Sequence, residues 1–185
     1  MLAASFGTSA LYLVEEIEGG YFDKLRAAPV PRTALALGRL SAEAVKSFGM
    51  TTVIVLLSLL FGVTMATGLG GFVLLIFLTA GWAVGYSAFL QFVAMKTRSA
   101  AATNSASLVF FPLLFLTPNF VPRDLLTRPM EFAATFNPVT YVMEAMRSLI
   151  LQDFEWTTIG RGFLVVGVFA VAMLVLNVRT MRLYD

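Results

Sequence analysis

Neither cysteine nor histidine occurs anywhere in the 185 residues. That excludes thiol nucleophiles, disulfides, imidazole metal sites and imidazole general bases, and leaves carboxylates as the only candidates for metal ligands or proton carriers. Charge is scarce too: 13% of residues are charged, against about a quarter in an ordinary soluble domain. No glycine-rich loop of the form G-x-x-x-x-G-K-S/T is present, so the chain has no phosphate cradle of the Walker kind. We expect no catalytic residue, no metal and no cofactor belonging to this chain, and hence no enzyme. The net charge of +2 and a pI near 9.2 would suggest nucleic acid in a soluble protein. Here the basic residues are read first as topology signals.

What is abundant is apolar length. Hydrophobic residues make up 58% of the chain and mean hydropathy is +0.83. Between Lys46 and Lys96 there is no charged side chain, and one crossing of a bilayer takes about 20 apolar residues. That run divides into spans at 47–66 and 72–95, joined by the turn Thr67-Gly68-Leu69-Gly70-Gly71. A second uncharged run supplies a span at 99–116, and a third stretch supplies 160–178. Residues 1–14 are apolar too, but at 1.5 Å per residue they reach only about 21 Å of a core about 30 Å thick. They read as the inner half of a span. The expected fold is all-α and polytopic, a single membrane domain over residues 1–185 with four complete spans and a partial one.

The basic residues set the orientation. Lys24, Arg26, Arg32, Arg39, Lys46, Lys96, Arg98, Arg179 and Arg182 fall on one side if the spans alternate. The positive-inside rule makes that side, and the C-terminus, cytoplasmic. No complete span holds Asp, Glu, Lys or Arg in its interior, which counts against an ion-driven carrier. Gln91, Asn104 and Asn177 read as interhelical hydrogen-bond partners rather than ligands, and the rows Ser99, Thr103, Ser107 and Ala101, Ser105 as close helix packing.

Two stretches outside the spans carry pattern. In the cytoplasmic segment 15–46, Ile17, Tyr21 and Leu25 recur every four residues with Phe22 beside them, an apolar ridge on a short helix ringed by Glu18, Asp23, Lys24 and Arg26. Pro29 and Pro31 stop that helix, and a new one starts near Thr33. The ridge fits a groove on a partner protein or the headgroup layer of the membrane equally well. In the outer segment 117–159, Phe136-Asn137-Pro138 reads as a helix start, with Asn137 as N-cap and Pro138 at the first helical position. The helix runs to Leu151. At about 14 residues, with Glu144 and Arg147 in its middle, it is too short and too charged to cross. It is expected to be re-entrant or interfacial, with Glu144 and Arg147 forming an ion pair that helps it fold in preference to binding substrate.

EEIEGGYFDKLRAAPVPR, ending at Arg32, is similar to the cytoplasmic loop after the second span of ABC-2 type permeases, the class that includes daunorubicin-resistance permeases. FNPVTYVMEAMRSL, Phe136 to Leu149, resembles that family's motif before its last span, and PNFVPRDLLTRP falls where the family has its outer loop. The resemblance covers essentially the whole chain; the departure is at the front, where the family's first span and half of its second are expected to be absent here. It implies the permease subunit of an ABC-type exporter in the plasma membrane of a prokaryote, paired with a second permease copy or paralogue. ATP and Mg would be bound by a separate ATPase subunit, contacted here through Glu18, Phe22, Leu25, Pro29 and Arg32. The rival readings are a non-transporting membrane anchor or scaffold and, behind it, a secondary transporter.

Overall fold

The computed structural model describes residues 10–16, 18–20, 32–117 and 127–182, and every regular element among them is helical. Helix α1 spans Arg32–Leu60 as one unbroken rod, about 44 Å long at 1.5 Å per residue. It starts just after Pro31, close to the expected Thr33, and runs straight into the apolar stretch. Its end lies earlier than the sequence suggested. Gly62 adopts φ +84, the Gly62 N–H bonds to Leu59 O at 3.0 Å and the Val63 N–H to Ser58 O at 3.0 Å. This paired closure is the Schellman motif, which needs a left-handed residue that glycine supplies without strain. The turn between the first two apolar helices is therefore 61–67, and Gly68 to Gly71 belong to the next helix.

Helix α2, Gly68–Thr97, is apolar on every face and packs against α1 and the helices at Ala100–Leu108, Pro138–Leu151 and Trp156–Arg182, leaving only Leu69, Val73 and Phe77 of its large apolar residues exposed. Among the described residues three helices are long and apolar enough to cross a membrane, Leu37–Leu60, Gly68–Thr97 and Trp156–Thr180, and α2 is the most buried of them. The apolar run at 99–116, expected as one helix, is two: α3, Ala100–Leu108, and α4, Phe110–Phe115. Pro112 explains the break. Its ring lacks an N–H and crowds the carbonyl four residues back, that of Leu108, so the helix parts at Val109.

Two short helices follow, α5 over Arg128–Phe136 and α6 over Pro138–Leu151. The first was not expected; Pro129 at its start is the signal that was passed over. Helix α7 closes the bundle at Trp156–Arg182.

Helices α2 and α7 run parallel and α6 runs antiparallel to both. An added Cβ on Gly85 would sit 2.8 Å from Phe169 Cδ1, and one on Gly162 would sit 2.5 Å from Ala145 Cβ, so both glycines are what lets these backbones approach. Trp82 stacks on Phe169 with centroids 5.2 Å apart, while Tyr86 meets Phe110 edge-on at 5.6 Å. This aromatic layer ties α2, α4 and α7 together at mid-bundle.

The contacts also set the depth of α6. Its far end lies beside the α1–α2 turn, where the Ala66 N–H bonds to Ile150 O at 3.1 Å. Its start, Asn137, lies beside Leu113 and Thr117 of the α4 end. Because Tyr86 meets Ser107 and α3 and α4 run antiparallel to α2, Leu113 and Thr117 lie at the level of the middle of α2. Helix α6 thus begins halfway down the bundle and climbs to the end opposite Lys96 and Arg98.

Candidate functional site

The structure places two linked features at opposite ends of α1. At the basic end, residues 10–16 are helical. Leu13 and Val14 are buried with Ala94 and Met95 of α2, against Leu35 of α1 and Val178 of α7. Higher up, Ala10 joins Ala83, Tyr86 and Leu90. The Arg39 guanidinium donates to the Glu16 carboxylate across 23 residues of chain. This charge-assisted contact draws together the two described flanks of the segment that carries the apolar ridge.

A helix end falls at Gly19 and Gly20. Gly19 donates to Glu15 O at 2.8 Å and Gly20 takes φ +69, the left-handed cap that ends a helix. Ile17, Tyr21 and Leu25, the expected ridge, lie outside the described residues. Of the five residues singled out for partner contact, Glu18 is exposed at this helix end and Arg32 opens α1. Phe22, Leu25 and Pro29 lie outside the described residues.

At the far end, the α1–α2 turn is bonded to the last turn of α6. Besides the Ala66 bond, the Thr67 hydroxyl donates to Leu149 O, so it is not used to cap α2. Asn137 sits at the other end of α6 and is 4% exposed. Its Oδ1 accepts from the Val139 N–H at 3.0 Å, and its Nδ2 donates to Leu113 O at 2.6 Å and to Thr117 Oγ1 at 3.0 Å. The Asn-Pro pair marked the cap in the sequence; the two donor bonds, to Leu113 of α4 and to Thr117 just beyond it, had no local signal. Glu144 and Arg147 are both partly buried along α6, which packs along α2 and α7.

Between these ends runs a polar seam. Glu43, Ser47 and Thr51 follow helical spacing on the buried face of α1. Thr51 meets Thr79 of α2 at 3.0 Å, a register that carries Glu43 to the level of Ser87. There Gln91 Nε2 donates to Ser87 Oγ at 3.2 Å, and Asn177 Nδ2 donates from α7 to Ala88 O at 3.2 Å. Asn177 is thus an interhelical partner, Gln91 bonds within its own helix, and Asn104 faces outward. Of the small-residue rows, Thr103 is buried while Ala101 and Ser105 are exposed.

Glu43 was missed because it lies just before the uncharged run. It is 4% exposed and bonded to Lys46 Nζ at 2.8 Å. The i, i+4 continuation through Ser47 and Thr51 was the signal that could have revealed it.

Above Thr51 and Thr79 lies a cavity of about 140 Å³, lined by Val55, Leu75, Met146 and Ile150. Among the described residues no three acidic groups converge as metal ligands. What the arrangement offers is mechanical: one rigid helix joins the ridge-bearing segment at one end to the α6 contact at the other.

The family model for ABC-2 type transporter proteins matches residues 1–151. A daunorubicin resistance ABC transporter permease protein of Streptomyces coeruleorubidus is 29% identical over 187 residues, covering 100% of this chain and 63% of the relative. The chain thus spans less than two thirds of that relative's length. With the match covering most of the bundle, from the N-terminal packing helix to the end of α6, the chain belongs to the ABC-2 type transporter family.

Proposed function

We propose that this chain is the membrane-embedded permease subunit of an ABC-type exporter, working with a separate ATPase subunit and a second permease copy or paralogue. The observation that carries the reading is the continuity of α1. A push on the segment before Arg32 has no flexible joint to dissipate it before Leu60, and the turn beyond is hydrogen-bonded to α6. Movement of an ATPase against the basic end would then be felt at α6, which is where alternating access requires it.

In this reading Glu18, Phe22, Leu25, Pro29 and Arg32 make the ATPase contact, and ATP and Mg stay in the partner. The basic end and the C-terminus face the cytoplasm of a bacterial cell, since nine basic residues gather there. The broken pair α3 and α4 serves as the inner part of a fourth crossing, carrying the chain from the end of α2 to the level at which α6 begins. Helices α5 and α6 form a re-entrant hairpin on the outer side with Asn137 at its tip. Asn137 suits that place, because backbone at membrane depth must find internal hydrogen-bond partners.

The experiment is co-purification of the co-expressed ATPase subunit with the intact chain and with Phe22→Ala/Leu25→Ala. Anchors in a partner's groove commonly cost about 2 kcal/mol or more on truncation, so ATPase recovery should fall roughly thirtyfold in affinity terms while membrane insertion is unchanged. Equal recovery from both chains would remove the ridge from the interface.

A further inference from the structure

Leu149 and Ile150 lie in the last turn of α6, where a helix leaves its final four carbonyls without partners of its own. The α1–α2 turn supplies two of the missing donors: the Ala66 N–H bonds to Ile150 O at 3.1 Å, and the Thr67 hydroxyl donates to Leu149 O. The turn is thus a cap for α6 brought from elsewhere in the chain. Thr67 also stands just before the first residue of α2, the place where a threonine ordinarily accepts from the second or third amide of its own helix. Here it does not. Its φ of −92 and ψ of 4 lie outside the extended region that capping uses, and its side chain takes no bond from α2. Leu69 and Gly70, whose amides would donate to such a cap, are exposed.

One hydroxyl therefore stands between two helix ends. The ψ of Thr67 is the torsion that relates its side chain to α2. Turning it into the extended region brings the hydroxyl over the α2 amides and swings it, together with Ala66, away from Leu149 and Ile150. Each arrangement satisfies one helix end and releases the other, so the bonds lost and gained are of the same kind, each worth roughly fivefold in an equilibrium. Gly71 sets which arrangement is seen. It is buried, and an added Cβ there would overlap the Thr67 hydroxyl as it now lies and come within 3.3 Å of Leu149 O. Glycine is what leaves room for the hydroxyl to reach α6. Once the hydroxyl caps α2 instead, the fourth residue of the helix carries an ordinary side chain without conflict.

We propose that Thr67 is a switch between capping α6 and capping α2, with Gly71 making room for the first, so that the turn holds α6 in one state and lets it go in the other. That the exchange serves transport rests on the exporter reading above. The exchange itself does not, and it is tested in the chain alone.

The measurement is amide hydrogen exchange, resolved by residue, on the full chain purified in detergent. Gly71→Ala leaves the Thr67 hydroxyl in place and removes only its room. It should speed exchange at Ala66 by about fivefold and slow it at Leu69 or Gly70 by a similar factor, as the hydroxyl moves to α2. Thr67→Asp, an acceptor that cannot donate to Leu149 O, should shift the same amides in the same directions. Thr67→Val serves neither helix end, and should speed Ala66 without slowing Leu69 or Gly70. Thr67→Ser keeps the hydroxyl and should match the intact chain, and circular dichroism checks that helical content is unchanged in all four. Faster exchange at Ala66 in Gly71→Ala with no slowing in α2 overturns the switch, by showing a fixed contact that was merely broken. Unchanged exchange at all three amides in that variant overturns it too, since Gly71 would then not be what admits the hydroxyl to α6.

Discussion

Asn137 makes three hydrogen bonds from one short side chain, and each does something different. Its oxygen caps α6, a role worth about 1 kcal/mol. Its amide nitrogen binds the α4 end and Thr117, and its loss would remove two donor bonds, at a net cost of about 1–3 kcal/mol. Asn137→Ala should therefore lower stability by about 2–4 kcal/mol, a large drop in melting temperature for a chain of this size. Asn137→Asp keeps the cap but sets a carboxylate oxygen in place of the donor, against Leu113 O at a buried site, so it should lower stability at least as much. Thermal unfolding of the two purified variants in detergent checks the order, and a smaller loss for Asn137→Asp than for Asn137→Ala would show that the α4 contact carries no energy. The sequence revealed half of this residue. An Asn-Pro pair before an apolar periodic run is a local signal, and local signals survive in a linear string. The partners Leu113 and Thr117 stand 24 and 20 residues away, on a segment whose path depends on the break at Val109. Glu43 was hidden for a related reason: burial is set by which helices surround a position, and its charge alone pointed to solvent.

At the scale of elements, the ends of helices were harder to read than their existence. The long apolar runs were found from length and lack of charge, which are summed properties. Where α1 stops is set by one glycine, Gly62, and where the third run breaks is set by one proline, Pro112. The break has a consequence. In a regular helix the Ser107 carbonyl would be occupied by the amide four residues on; here it accepts from the Tyr86 hydroxyl at 2.8 Å. Tyr86→Phe should thus cost about 1 kcal/mol, in the range of interhelical hydrogen bonds in membranes. Pro112→Ala restores the missing N–H and favours a continuous helix, in which Ser107 no longer needs Tyr86. A double-mutant cycle by denaturant unfolding in micelles should show the Tyr86→Phe cost shrinking by more than half in the Pro112→Ala background. Full additivity would mean that the break and the tyrosine bond are independent.

At the scale of the whole molecule, charge asymmetry and helix depth lead to a topology that can be measured directly. The expected orientation is a sum over nine basic residues, robust to the misplacement of any one boundary. The half-depth start of α6 was not legible in the sequence, since it follows from pairing between helices that lie far apart in sequence. Both can be read with single cysteines, because the chain has none of its own. A cysteine at Thr97, exposed at the basic end, should react with an impermeant thiol reagent only from the cytoplasmic side. One at Thr127, exposed just before α5, should react only from outside. Phe136 is 73% exposed yet lies one residue from the buried tip of the α5–α6 hairpin. If that hairpin enters the bilayer, Phe136 faces lipid or a second subunit, so a cysteine there should resist the impermeant reagent from both sides and react with a membrane-permeant one. If the two helices instead lie flat on the outer surface, Phe136→Cys and Thr127→Cys would label alike from outside. That result would overturn the re-entrant placement while leaving the orientation intact, whereas labelling of Thr127→Cys from within would reverse the orientation and remove the basic end from the ATPase side.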